Sequence, residues 1–224
     1  MDPVHPFIAQ LHATFKRHAN AESAAAMSAY MKGHFPFFGI KTPQRRVLLK
    51  EHIALFGAPE IHDLPAIARS AFAFPEREIH QVAIDLLMKN AKKLTPDHLP
   101  LLEELIITKS WWDSVDALAV HAVGTILKRY PKEITKWNER WNSSDDMWLN
   151  RTSILFQLRW KADTDTELLF ANIDRPSKSQ EFFIRKAIGW SLRELGASDP
   201  KAVRAFVAAR KLSPLSKREA LRKL

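Results

Sequence analysis

The sequence contains no cysteine and only 6 glycines among its 224 residues. Without thiols there is no disulfide framework and no thiolate zinc or iron–sulfur site, which disfavours a covalently stapled extracellular fold and leads us to expect a reducing, cytoplasmic setting. No Gly-rich phosphate loop occurs, the 9 histidines include no H-x-x-x-H pair, and the Gly-rich hairpin of helix-hairpin-helix glycosylases is absent. Neither a nucleotide hydrolase nor a helix-borne metal site is visible, so no metal is expected. There is also no run of about 18 apolar residues. The opening Met-Asp-Pro-Val-His-Pro has neither the basic start nor the apolar stretch of a signal peptide. A soluble chain without membrane association is the expectation.

What is present points elsewhere. Hydrophobic residues make up 46% and charged residues 26% of the chain, enough for one sizeable core and hence one elongated domain over residues 1–224. Lys and Arg number 34 against 25 Asp and Glu, a formal charge of +9. That excess favours polyanionic partners through counterion release, with nucleic acid the leading candidate, although charge alone does not identify a partner.

Apolar residues recur at three- and four-residue intervals in almost every segment, and strand-like alternation is scarce, so the class is all-α. Ile79 to Met88, Trp112 to Leu127 and Arg151 to Leu158 carry apolar stripes at helical spacing. Helix starts are signalled by Thr42-Pro43, Thr95-Pro96-Asp97, the Ser143-Ser144-Asp145-Asp146 run and Ser198-Asp199-Pro200. Their side-chain oxygens can cap free backbone N–H groups, and proline suits a first turn.

A period is superimposed on these helices. Aligning REIHQVAIDLL (77–87), WWDSVDALAV (111–120), WLNRTSILFQL (148–158), FFIRKAIGW (182–190) and LSKREALRKL (215–224) superposes Gln81, Asp116, Arg151, Arg185 and Arg218, at intervals of 35, 35, 34 and 33 residues. That spacing is one helix pair with its connections, the unit of an α-solenoid. The five superposed positions are polar among apolar neighbours, so they are expected on equivalent surfaces of successive second helices, lining a basic concave side.

Several blocks, TKSWWDSVD (108–116), the Trp-Leu-Asn-Arg segment at 148–151 with SILFQL (153–158), EFFIRKAIGW (181–190), LSPLSKREA (212–220) and AYMKGHFPFFGIKTPQRR (29–46), resemble the AlkD family of DNA alkylation-repair glycosylases. The similarity runs in order from about His5 to the end. It implies HEAT-like helical repeats, in agreement with the period. It further implies hydrolysis of the N-glycosidic bond of cationic N3- and N7-alkylpurines, such as 3-methyladenine and 7-methylguanine. The substrate would be duplex DNA, the context base excision repair, with no base-flipping pocket and no cofactor, in a monomer that is cytoplasmic and nucleoid-associated when bound to DNA.

By the same resemblance Asp116 is the catalytic carboxylate, Trp112 and Trp190 are aromatic walls against the sugar and backbone, and Arg151 is a cleft arginine that contacts phosphate. Trp112 and Asp116 lie four apart, so one helix places them on one face. Tyr30 and Lys32 match a segment that approaches DNA, though an aromatic beside a cation is equally a packing and solubility pair. Arg45, Arg46, Lys178, Arg185, Lys186, Lys217 and Arg218 are candidates for backbone contacts, and any of them is also accounted for as a solvated face. Trp111, Trp137, Trp148 and Trp160 are read as packing residues. Asp113 is the natural rival of Asp116 and is read as bonding within the repeat; Arg151 could instead bridge to an acidic neighbour at a helix-pair seam. Two alternatives of other classes stand beside the enzyme: a non-catalytic DNA-shape binder and a HEAT-type protein scaffold.

Overall fold

Helix follows helix along the chain because apolar stripes at helical spacing alternate with short capped turns, and the described residues contain no strand. The computed structural model describes residues 4–224. Met1, Asp2 and Pro3, the start of the stretch expected to carry no leader, lie outside them. No helix among the described residues is long and apolar enough to cross a membrane. The all-α expectation holds, and the arrangement is compatible with an α-solenoid of repeats.

Packing divides the chain into two compact units, Met1–Lys93 and Leu94–Leu224. The first contains α1 (Pro6–Arg17), α2 (Ala21–Tyr30), α3 (Thr42–Phe56), α4 (Leu64–Ala73) and α5 (Arg77–Lys89). Its core gathers Ile8, Leu11, Phe15, Ile67 and Leu87. A polar knot is buried within it. Glu78, fully enclosed, accepts the backbone N–H groups of Phe38 (3.1 Å), Gly39 (2.8 Å) and Ile40 (3.0 Å). Gly39 has φ +88°, and a Cβ there would strike the backbone of α2's first turn, so only glycine fits this bend. Beside it, Arg77 lies 3.9 Å above the Phe35 ring and pairs with His80.

The second unit contains α6 (Leu99–Ile107), α7 (Trp112–Ala117), α8 (Gly124–Arg129), α9 (Ile134–Asn142), α10 (Met147–Leu155), α11 (Thr166–Asp174), α12 (Phe182–Gly196), α13 (Pro200–Ala209) and α14 (Pro214–Ala220). A π-helical stretch, Leu118–Val123, joins α7 to α8 without a break. Two expected caps form as read: Asp146 accepts from the N–H groups of Trp148 and Leu149, and Asp199 from that of Ala202. Thr42 differs, since it is the first residue of α3 and Lys41 occupies the cap position without a side-chain bond. Its hydroxyl faces the Arg45 guanidinium, 3.4 Å away, in place of the backbone.

Bonds between neighbouring helix pairs repeat the sequence period. Arg129 donates to the carbonyl of Leu94, Lys128 pairs with Asp163, Asn138 and Asn172 exchange amide hydrogen bonds, and Trp160 donates to the carbonyl of Gly124. These partners are separated by 34 to 36 residues, one repeat. Gly124 admits no side chain, because a Cβ would overlap the carbonyl of Phe156. The second helices follow one another in space as in sequence, α10 packing on α7 and on α12, and α12 on α14. That succession brings residues one repeat apart face to face.

Replacing Glu78 by Gln puts an N–H donor where three backbone N–H groups converge, and a buried charge-assisted set of this kind is worth about 2–3 kcal/mol. Urea unfolding of Glu78→Gln should show a loss of that size; a change below about 0.5 kcal/mol would mean the knot contributes little.

Candidate active site

The helix that carries the WWDSVD motif starts immediately after Trp111, whose carbonyl accepts from the backbone N–H and the hydroxyl of Ser114. This fixes the first turn of α7. Trp112 and Asp116 then fall one turn apart and are both half-buried. Burial is uneven at Asp116: its side chain retains 16% exposure, whereas that of its partner, Arg151, retains 4%.

The two form a fork. Arg151 Nε donates to Asp116 Oδ1 at 2.7 Å and Nη2 donates to Oδ2 at 2.8 Å, while Nη1 donates to the carbonyl of Phe183. Each outer nitrogen of the guanidinium therefore has an acceptor. The pair joins three successive second helices, α7 through Asp116, α10 through Arg151 and α12 through Phe183. Two of the five positions superposed by the repeat thus bond to one another, Arg151 reaching back across one repeat of 35 residues.

An aromatic cluster borders this arginine through Phe183. The Arg151 guanidinium lies 5.9 Å from the centroid of Phe183, whose ring meets Trp111 at 5.0 Å edge-on and Trp148 at 5.1 Å. Trp148, Trp137 and Trp160 are buried and Trp111 half-buried, in keeping with packing roles. Phe183 was not singled out in the sequence, where the only signal was its place within the EFFIRKAIGW block.

The enclosure sets the protonation of Asp116. Loss of water around the carboxyl pushes its pKa above the ordinary aspartate value; the hydrogen bonds and charge of Arg151 pull it back, and the nearby charge of Asp113 adds a smaller push upward. The upward shift prevails. Asp113 is close enough to be felt electrostatically, but it is Asp116 that holds the arginine.

The remaining candidates are distributed as follows. Trp190 lies on α12 seven residues, about two turns, beyond Phe183, half-buried against a core that includes Ile154, Ile188 and Leu192. Lys178 and Arg218 are exposed and Lys217 half-buried. Arg185 donates from Nε to the Ser179 carbonyl and bonds Gln180, and Lys186 pairs with Glu219 at 3.1 Å. In the first unit Tyr30 is 71% exposed, and Lys32 is exposed at φ 55°. Arg45 is buried, donating to Asp85 and Gln81, and the exposed Arg46 also reaches Asp85. No group of His and acidic residues able to hold a metal ion occurs among the described residues.

The family model of DNA alkylation repair enzymes matches residues 11–224. The chain belongs to this family. Among solved structures it is similar to a predicted DNA alkylation repair enzyme from Enterococcus faecalis, with 33% identity and a TM-score of 0.85 over 92% of this chain and 96% of that one. Compared with curated proteins, the chain has no match. A repair role for this family member accords with the long motif blocks, four of which reach α7, α10, α12 and α14 while the fifth runs from the end of α2 into α3.

Because the folded chain holds the Asp116 proton more tightly than an unfolded chain does, this group favours folding below the ordinary aspartate pKa and ceases to as pH rises through its raised value. Carboxyl NMR should place the Asp116 midpoint above that of a free aspartate. In Arg151→Gln, burial is no longer opposed by a cation, so the midpoint should move up further; a downward move would show that Arg151 does not govern this ionisation.

Proposed function

We propose that this member of the DNA alkylation repair family is a DNA glycosylase that hydrolyses the N-glycosidic bond of cationic N3- and N7-alkylpurines in duplex DNA. The observation that carries the reading is the Asp116–Arg151 fork on α7 and α10, with Trp112 one turn from the carboxylate. The family membership supplies the repair context.

An alkylated purine carries a positive charge and departs as a neutral base, so its release needs little help from a general acid. As the C1′–N bond breaks, its electron pair goes to the purine and positive charge develops on the deoxyribose. Asp116 opposes that charge. Both its oxygens receive an Arg151 N–H, and a carboxylate has lone pairs beyond those two, so it can also accept from a water. The water oxygen bonds to C1′, and its proton passes to Asp116 and then to solvent.

In this reading Arg151 is a positioning residue. Three of its five N–H groups are engaged by Asp116 and Phe183, so it orients the carboxylate and favours its ionised form. Trp112, one turn from the carboxylate, is proposed as the first aromatic wall, since an electron-rich face favours a cationic sugar. Trp190 is proposed as the second wall, with sugar and phosphates gripped and no base extrusion required. Selectivity would then follow from the lability of the cationic lesion.

The test compares 7-methylguanine release from methylated duplex DNA by the parent and by Asp116→Asn. We expect a loss of at least about 100-fold, with DNA affinity retained. Equal rates would move the catalytic role elsewhere, and a parent that binds duplex DNA without releasing base would favour a non-catalytic DNA-shape binder. Excision of a neutral lesion as fast as 7-methylguanine would refute the proposed basis of selectivity.

A further inference from the structure

The second unit carries a cavity that none of the roles above uses. It encloses about 340 Å³ between the ends of α10 and α12, the turn at residues 161–163 and α11, a volume within the range of small-molecule sites. Its floor is apolar, with Ile154, Leu169 and Leu195 buried and Leu158 half-buried beside them. One wall is clamped by the buried Gln157, whose amide accepts from the Asp165 N–H at 2.8 Å and donates to the Asp165 carbonyl at 3.3 Å. The Asp165 carboxylate in turn caps the first turn of α11. The shape of the cavity is thus fixed by the fold itself.

Two charges of opposite sign line it. Glu194 stands near the end of α12 and Lys161 on the turn that follows α10; both are exposed. Neither has an ion pair, with the other or with any described residue. Lys161 has φ 57°, a left-handed backbone that residues other than glycine seldom adopt and that concentrates where a side chain serves a ligand. The surroundings sort by charge. α12 ends at Gly196, beside Glu194, and the free carbonyls of a helix C-terminus favour a cation. On the same helix the buried Ser191 hydroxyl donates to the Ile188 carbonyl, so it offers the cavity only acceptor lone pairs. α11 starts at Thr166, two residues after Thr164 of the lining, and the free N–H groups of a helix N-terminus favour an anion.

We infer that this cavity binds a free α-amino acid with a bulky apolar side chain. Its ammonium is received by Glu194 and the Ser191 hydroxyl on α12, its carboxylate by Lys161 and the Thr164 hydroxyl, and its side chain by the apolar floor. A peptide terminus brings one of these charges without the other, and a fatty acid or an alkylamine likewise leaves one of the two residues unanswered. The ligand touches both α10 and α12, the helices that Arg151 joins through the Phe183 carbonyl, so its binding stabilises their packing. The inference is independent of the glycosylase reading, since none of these residues bonds to Asp116 or Arg151.

The experiment titrates L-phenylalanine into the full chain, following amide NMR shifts and the thermal midpoint, beside two probes that each lack one charge, 3-phenylpropanoate and 2-phenylethylammonium. L-Phenylalanine should give saturable shifts at the residues around the cavity and a midpoint that rises with its concentration. Each one-charge probe should bind at least about 10-fold more weakly, and so should L-phenylalanine to Glu194→Gln and to Lys161→Gln, because a hydrogen-bonded charge is lost in every case. Both substitutions are at exposed positions and should leave the release of 7-methylguanine unchanged. Absence of saturable shifts, shifts centred elsewhere, or probes and variants that bind as tightly as L-phenylalanine binds the parent would each overturn the inference and leave the glycosylase reading standing.

Discussion

A guanidinium held on three sides organises the candidate active site. Arg151 ties the carboxylate of Asp116 to the backbone of Phe183, so three successive second helices must keep a common register for the fork to close. Removing one member of such a pair from a largely dry position leaves an uncompensated charge, a penalty of about 3–5 kcal/mol. The pair as a whole need not stabilise the fold at all. Its value lies in orientation: the carboxylate is presented at a fixed angle with part of its surface still open, beside a tryptophan delivered by the preceding turn.

The same pair explains why the site was only partly legible in the sequence. Helical spacing, capping aspartates and a repeat near 35 residues are local or periodic signals, and they disclosed the all-α class, the caps at Asp146 and Asp199 and the pairing of Trp112 with Asp116 on one face. Superposing Asp116 and Arg151 as equivalents suggested parallel positions along a surface. What the register cannot convey is that an arginine side chain is long enough to bridge adjacent helices 8–10 Å apart, so equivalent positions on neighbours can bond to each other. Phe183 contributes a carbonyl as well as a ring, and no side-chain pattern announces a carbonyl.

Glu78 makes the same point in the first unit. It stood in plain view within REIHQVAIDLL, where nothing in the helical pattern marked it. Its partners are backbone N–H groups of the Phe38–Gly39–Ile40 bend, and only the tertiary fold brings that bend to α5. Part of the AYMKGHFPFFGIKTPQRR block is thereby accounted for by folding, since Gly39 permits the bend and Glu78 holds it. Arg45 has a comparable double life: a basic residue by composition, but in the fold the buried counter-ion of Asp85.

In the second unit, polar links run from each helix pair to the one next to it, several of them at separations of 34 to 36 residues, with no bond of this kind that skips a pair among those described. Energy shared only between adjacent members of a row behaves as a one-dimensional chain. Damage to one seam is felt on either side of it and fades beyond, so such a body loosens by fraying from its ends while an inner seam, such as the one Arg151 closes on the Phe183 carbonyl between α10 and α12, stays shut longest.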